Sequence, residues 1–350
     1  MSKAREGFLR VILTMVVGLA IGALLIIGIG ENPISAYGAL LQGAFDGKFR
    51  LGTTLAGFTP LLLTSTAFAI AAKAGAFNVG VEGEVFLGGI VAAYIGINWT
   101  FLPKPLLVIA CFLGAMAVAA AWAFIPAVLK AYYDVSEVCV TILMNTVALH
   151  ITSYLVSGPM SAGTANAQTL PVTVTLYQFM TPSSANVGMF IAIAAVIAVI
   201  FMLYKTSWGY KIRTVGGNPS HADYVGISSK KVFIGAMMLS GMLGGMAGCI
   251  EVLGVHGYFL NNFATNLGSN GMLAALIVKN NMFATPFMAF FLAVLSSGGM
   301  GMQQMTGVPK ALVDTIAAVF IIIATMETLF TFKKRRDVRL AAKKEKEGQS

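Results

Sequence analysis

Three polar side chains in one short segment of this sequence could do chemistry. In AFNVGVEGEVFLGG, residues 76–89, Asn78, Glu82 and Glu84 are surrounded by glycine and apolar residues. Two carboxylates can act as general acid and base only if both reach the same reacting group. Glu82 and Glu84 are two positions apart, about 200° around a helix, so a regular helix directs them to different neighbours. The spacing argues against a paired-carboxylate catalytic site, and we predict that the chain is not an enzyme.

The other residues that could bind a metal or react are scattered. They are His150, His221, His256, Cys111, Cys139 and Cys249. No pair has the spacing of a metal site such as His-x-x-x-His, and all three cysteines fall in apolar runs. We predict free buried thiols, no metal and no cofactor bound by this chain.

Membrane helices must position the polar residues. Of the 350 residues, 57% are hydrophobic and 11% are charged, and the mean hydropathy is +0.81, outside the range of soluble globular proteins. Apolar runs lie near residues 11–30, 52–72, 76–97, 105–129, 137–157, 187–204, 232–254, 264–279, 283–299 and 309–330. We therefore predict an all-α, polytopic membrane protein of about ten transmembrane helices, the first of them retained.

The positive charges predict the orientation of these helices. Three Lys and Arg lie in the first ten residues, five in residues 205–231 and eight in residues 333–346. Basic residues favour the cytoplasmic side, and their confinement to a few segments argues against a nucleic-acid partner. Five crossings would place residues 158–186 outside, and a sixth would return residues 205–231 to the cytoplasm. The prediction is a transmembrane domain over 1–332, a basic cytoplasmic tail over 333–350, and both termini in the cytoplasm.

The polar segment must lie within the membrane. Residues 85–97 would form a helix only about 20 Å long, too short for a core about 30 Å thick, so the residues before them also lie at membrane depth. A charge there needs a partner or a wet cavity. Asn78 and Glu82 therefore either line a translocation path or fix a glycine-broken helix. Three further amides in or next to apolar runs are candidates for the path: Asn145, Gln303 and Gln304.

Two other patterns predict local structure. In residues 205–231, Asn218 suits a helix N-cap, Pro219 suits the first helical position, and Gly226 can end the helix. Such a helix of about two turns needs a surface to pack against. After it, small residues recur every fourth position and favour close helix packing. They are Ala236, Ser240, Gly244 and Gly248.

GYKIRTVGGNPSHADYVGISSKKVFIGAMMLSGMLGGMAG, residues 209–248, closely resembles the signature of permease subunits in ABC importers for simple sugars and nucleosides. AFNVGVEGEVFLGG resembles the other hallmark of that family, in the nucleoside branch linked to lipoprotein receptors of the basic-membrane-protein type. GSNGMLAALIVKNN (268–281) and GVPKALVDTI (307–316) are also similar to family segments. One departure is Glu84, where the family often has glutamine.

This resemblance implies the type II ABC importer fold and a bacterial cytoplasmic membrane location. It implies that the short helix is a coupling helix that receives the movement of an ATPase. The residues carried over to that role are Gly217, Asn218, Pro219, Ala222, Asp223, Tyr224 and Gly226. The implied partners are a homologous second permease, an ATPase with two nucleotide-binding modules, and an extracytoplasmic lipoprotein receptor. No G-x-x-x-x-G-K-[ST] motif occurs in the sequence, so ATP and Mg²⁺ are expected on the ATPase.

The substrate implied by the resemblance is a nucleoside, and a simple sugar such as ribose is the alternative. A further alternative from another class is a self-sufficient secondary transporter in which Glu82 binds a proton or a cation. The two classes differ in their energy source, ATP hydrolysis in one and an ion gradient in the other.

Overall fold

The computed structural model describes residues 19–316 and 318, which form helices joined by short connections and one long loop. The helices are α1 Leu19–Gly28, α2 Pro33–Phe45, α3 Gly47–Lys73, α4 Val81–Asn98, α5 Lys104–Tyr133, α6 Glu137–Ser157, α7 Gly188–Lys205, α8 Ser207–Gly217, α9 Pro219–Tyr224, α10 Ser229–Ile250, α11 Leu267–Ile277 and α12 Thr285–Thr306. Within the described part, extended pairing is limited to two isolated bridges. The all-α prediction is confirmed.

Seven of these helices are long and apolar enough to cross a membrane: α3, α4, α5, α6, α7, α10 with a following π turn Glu251–His256, and α12. The pair α1 and α2, bent by 116°, could add one crossing. The predicted count of about ten is not confirmed. The run at 264–279 contains only the 11 residues of α11, about 16 Å of helix. Most of the run at 309–330, the basic head and the tail 333–350 lie outside the described residues.

The chain divides into two compact units. In the smaller unit, described over residues 19–43, 298–316 and 318, α2 and the end of α12 touch through glycines, and a Cβ on Gly43 would lie 2.7 Å from the Gly301 Cα. The larger unit, residues 44–297, contains α3 to α11 and the polar segment.

Helices α4 and α10 form the centre of the larger unit because glycine lets their backbones meet. A Cβ on Gly88 would overlap the Gly245 backbone, and one on Gly248 would overlap the Val85 carbonyl oxygen. In the 18-residue apolar stretch of each helix, 72% of the residues are buried in α3 and in α4, and 67% are buried in α10 with its π turn. In α6, only 17% of them are buried. The apolar outer faces of α5, α6 and α7 are therefore left for lipid or for another protein, and the central helices carry the polar groups.

Replacing Gly88 with alanine should destabilise the larger unit, since the new methyl must separate α4 from α10 at a backbone contact. We expect a loss of about 1–3 kcal/mol in the free energy of unfolding. Gly57→Ala in α3 is the matched control, because a Cβ there meets nothing within 4 Å. Thermal unfolding of the detergent-solubilised protein compares them, and equal melting temperatures for the two variants would contradict this packing.

Candidate functional site at a broken membrane helix

The chain is not helical between α3 and α4. Residues 74–80 form turns and extended backbone, and Gly75 has a φ of +81°. The Gly75 N–H donates to the Ala72 carbonyl at 3.1 Å and the Ala76 N–H to the Ala71 carbonyl at 3.0 Å, which closes the end of α3 as a Schellman motif. This confirms the predicted glycine break. Helix α4 begins at residue 81, five residues later than the apolar run, so both acids lie in its first turn.

The Asn78 side chain joins the break to both central helices. Its Nδ2 donates to the Glu84 Oε1 at 2.9 Å and to the Ser240 Oγ at 2.9 Å, and its Oδ1 accepts from the Gly80 N–H at 2.9 Å. All three side chains are buried, with at most 1% exposure. Hydrogen bonds between buried polar groups resist separation because each group would be left without a partner. Asn78 therefore fixes the end of the break.

Glu84 fits this cluster because α10 has a glycine opposite it. A Cβ on Gly244 would lie 2.9 Å from the Glu84 Oε2 and 2.9 Å from the Glu84 Cβ. Oε2 has no hydrogen-bond partner in the structure. Gly244 and Gly248 face α4, while Ser240, on the same small-residue face, also accepts a hydrogen bond. The sequence singled out Glu84 as an acid in an apolar segment but gave no sign that it would bond to Asn78, six residues earlier, and lie against α10.

Asn145 on α6 holds the start of α4. Its Oδ1 accepts from the Gly83 N–H at 2.8 Å and its Nδ2 donates to the Val79 carbonyl at 2.9 Å. The first-turn amides of a helix have no partner within the helix, and this side chain supplies one for them. A Cβ on Gly83 would lie 2.9 Å from the Asn145 Oδ1. Both polar ends of Asn145 thus contact backbone, and its predicted place on the path stays a prediction.

Glu82 points to a different neighbour from Glu84, as its spacing predicted. It is half-buried and lies against the first turn of α11, where the Ser269 Oγ donates to its Oε2 at 3.3 Å. A Cβ on Gly268 would lie 2.7 Å from the Glu82 Cβ. The positive end of the α11 dipole and the start of α4 both favour a negative charge at this point.

Helix α11 is preceded by an irregular segment, residues 257–266, that packs along α4. The Val172 N–H donates to the Gly257 carbonyl at 2.9 Å, beside the end of α4, while Phe263 packs edge-on against Phe86 with 5.6 Å between ring centroids. Gly268 then reaches Glu82 at the start of α4. Non-helical backbone at membrane depth is tolerated only inside protein or beside water. The first turns of α4 and α11, each preceded by a non-helical segment, thus meet at Glu82.

The loop over residues 158–186 is mostly irregular, as predicted, and it is fixed to this segment. The Thr169 N–H donates to the Phe259 carbonyl at 3.0 Å and the Leu176 N–H to the Leu253 carbonyl at 2.8 Å. The Thr173 Oγ1 also donates to the Gly96 carbonyl at 2.6 Å. The loop therefore supplies donors to carbonyls at the ends of α4 and α10 that have no helical partner.

Gln303 and Gln304 belong to the smaller unit. Both are exposed on the last turn of α12, and the Gln303 Oε1 accepts from the Lys310 N–H at 3.2 Å. This bond closes the turn after the helix. Their proposed place on the path stays a prediction.

The connection between α7 and α10 has the predicted caps. The Asn218 Oδ1 accepts from the His221 N–H at 3.1 Å, Pro219 begins α9, and Gly226 has a φ of +80°. Asp223 accepts from the Ser229 N–H at 2.9 Å and from the Ser229 Oγ at 2.7 Å, and these bonds lower the pKa of its carboxyl. An ionised Asp223 therefore joins α9 to the start of α10.

Helix α9 buries little of its own surface. Ala222 is fully buried, whereas Tyr224 is 96% exposed and the next residue, Val225, is 55% exposed. Gly217 precedes Asn218 at the end of α8. Tyr224, the last residue of this six-residue helix, and Val225, its C-cap, form an exposed apolar surface outside the spanning helices.

Asn78→Ala should destabilise the protein by about 1–3 kcal/mol, because it leaves the Glu84 carboxylate and the Ser240 hydroxyl buried without this donor. Asn98→Ala is the matched control, since Asn98 is exposed and its side chain donates to the Tyr94 carbonyl of its own helix. Thermal unfolding in detergent measures both. Similar melting temperatures for the two variants would show that the Asn78 cluster does not hold the break.

Comparisons with known proteins identify the family. Residues 50–325 match the family described as the permease component of branched-chain amino acid transport systems. The glucose ABC transporter permease TsgB13 of Haloferax volcanii is 33% identical over 332 residues, 91% of this chain and 87% of that protein. The guanosine permease NupP of Bacillus subtilis is 32% identical, covering 95% of this chain and 97% of NupP.

Two further relatives are nucleoside transporter permeases by name. The nucleoside permease NupB of Lactococcus lactis subsp. cremoris is 30% identical over 89% of this chain and 88% of NupB. Bacillus subtilis also has a second guanosine permease, NupQ, which is 26% identical to this chain over 211 residues, 56% of this chain and 64% of NupQ. Since the family model matches most of the chain, this protein belongs to that family of membrane transport permeases.

Proposed function

We propose that this chain is the membrane-spanning subunit of an ATP-driven importer and forms half of a translocation pathway for nucleosides. The observation that carries the proposal is the contact between the first turns of α4 and α11 at the half-buried Glu82, because each of these helices follows a non-helical segment, residues 74–80 and residues 257–266. Discontinuous helices with polar groups near them are where transporters bind their substrates. The chain's membership of a permease family supports this reading.

Nucleosides suit the chemistry beside Glu82. Ribose hydroxyls donate hydrogen bonds to carboxylates, and Glu82 and Ser269 are both partly exposed at the break. Bases stack on aromatic rings, and the ring of Phe263 is partly exposed and packs on Phe86, one helical turn beyond Glu82. The names of NupP and NupB support a nucleoside. The sugar alternative is favoured by TsgB13, and a sugar could use the same carboxylate and hydroxyl.

Helices α8 and α9 are proposed to couple the pathway to ATP hydrolysis. The exposed Tyr224 and Val225 suit a groove on a cytoplasmic ATPase, and Asn218, Pro219 and Gly226 fix the ends of the helix that presents them. Movement of the ATPase would then displace α9. Lys205, Lys211, Arg213, Lys230 and Lys231 lie in and beside these helices, and their positive charge supports a cytoplasmic position for this connection and for the N-terminus.

The remaining partners follow from the proposed mechanism. A second, homologous permease would complete the pathway, and the existence of two guanosine permeases in Bacillus subtilis, NupP and NupQ, supports such a pair. An ATPase with two nucleotide-binding modules would bind ATP and Mg²⁺. A lipoprotein receptor would deliver substrate to the side of residues 158–186, and the basic tail 333–350 would lie in the cytoplasm.

Uptake assays on the complete transporter, purified with its partners and placed in vesicles, test the substrate and the energy source. We expect ATP-dependent uptake of tritiated guanosine. Unlabelled nucleosides should reduce this uptake by competition, and ribose and glucose should not. Uptake of labelled glucose or ribose in place of guanosine would overturn the nucleoside assignment in favour of a sugar. Uptake by this chain alone, driven by an ion gradient without ATP, would establish the secondary-transporter alternative.

Tyr224→Ala tests the docking surface on α9. Truncating an exposed aromatic anchor of an interface costs about 1–2 kcal/mol, so binding of the ATPase should weaken about tenfold. Tyr177→Ala is the control, because Tyr177 is 74% exposed on the long loop. Copurification and ATP-driven uptake are the measurements, and a Tyr224→Ala variant that matches Tyr177→Ala in both would contradict the docking role.

A further inference from the structure

The end of α8 contacts the helix break directly. A Cβ on Gly216 would overlap the Lys73 carbonyl oxygen, would lie 2.8 Å from the Lys73 carbonyl carbon and would lie 3.2 Å from that of Ala74. The Gly216 Cα is also 3.7 Å from the position that a Cβ on Gly75 would take. Only glycine lets the two backbones approach this closely, so α8 lies against the last turn of α3 and the first residues of the break.

Helices α8 and α9 are joined by a single residue, Asn218. Asn218 is the C-cap of α8, where its N–H donates to the Thr214 carbonyl at 3.0 Å, and also the N-cap of α9. Ile212 and Val215 are buried and hold α8 against the membrane helices. A displacement of α9 therefore reaches Gly216 two residues away, with no flexible linker between them.

The break can respond to such a displacement because its two ends are held differently. Its first residues end α3 through the Schellman bonds of Gly75 and Ala76, next to Gly216. Its last residues are fixed by Asn78, which is bonded to Glu84 and Ser240. Phe77 connects these two ends, so a movement of α8 that displaces residues 74–76 would change the angle between α3 and α4 at this point.

We propose that Gly216 is a positioning residue that transmits movement of α8 and α9 to the break at residues 74–77, and through it to the start of α4 beside Glu82. The inference rests on the proposed coupling function of α9. It adds the contact through which coupling reaches the pathway. Gly216 itself touches neither substrate nor nucleotide.

Two other contacts of α8 are alternative routes by which its movement would reach the membrane helices. Trp208 packs on α10, where a Cβ on Gly235 would lie 2.9 Å from the Trp208 ring. Arg213 lies 5.3 Å from the centroid of the Tyr204 ring, which stacks on Phe283 before α12. A test must therefore separate the break from residues 229–235 and 278–284.

Hydrogen exchange on the complete transporter in nanodiscs makes this separation without needing the substrate. Amide exchange is compared without nucleotide and with ATP plus vanadate, in wild type, Gly216→Ala and Gly57→Ala. Gly57 in α3 is the control, since it lies outside the coupling helices and a Cβ there meets nothing within 4 Å. We expect nucleotide to change exchange of the Gly75 and Ala76 amides about tenfold in wild type and Gly57→Ala, and to leave it unchanged in Gly216→Ala.

The outcomes distinguish the inference from the function on which it rests. Nucleotide-dependent protection of residues 219–226 with no change at residues 74–77 in wild type would overturn the inference alone, and a change at 229–235 or 278–284 would identify the route that replaces it. No response at residues 219–226 would overturn the proposed coupling function as well. A full response at the break in Gly216→Ala would contradict the role of Gly216. If Gly216→Ala does not assemble, the wild-type comparison still decides.

Discussion

The structure depends on one buried side chain, Asn78, which connects a break in the backbone to the two central helices. Without this connection, the carboxylate of Glu84 and the hydroxyl of Ser240 would lie in an apolar interior without a donor between them. With it, the chain can interrupt a membrane helix for seven residues and still begin α4 at a defined place. The hydrogen bonds of Asn78, Glu84 and Ser240 therefore stabilise the break, and the break in turn determines where Glu82 lies.

Glu82 and Glu84 are only two residues apart, but this arrangement places them in different surroundings. Glu84 faces α10 and is buried beside Gly244, whereas Glu82 faces the start of α11 and stays partly exposed. Because the helix is regular from residue 81, neither side chain can take the place of the other. On the proposed function, one acid maintains the break and the other meets the substrate, while Gly216 brings the movement of the coupling helices to the same segment.

Much of this could be predicted from the sequence, because the signals were local. The apolar runs predicted the helices, the length of residues 85–97 placed the polar segment at membrane depth, and Asn218, Pro219 and Gly226 predicted a capped helix. The contacts of Glu84 and Ser240 could not be predicted, since residues 84 and 240 are far apart in the chain and spacing carries no register between helices. For the same reason, the glycine at 216 gave no sign of its contact with Lys73, and the apolar run at 264–279 gave no sign that its helix would have only 11 residues and follow an irregular segment along α4.

On the proposed function, the chain bends at residues 74–77 while the Asn78 cluster stays intact. Structures of the complete transporter, solved without nucleotide and with ATP bound, would show whether it does. We expect the angle between α3 and α4 to differ between the two states, and Asn78 to keep its hydrogen bonds to Glu84 and Ser240 in both. An unchanged angle, or a cluster that separates when ATP binds, would contradict this prediction.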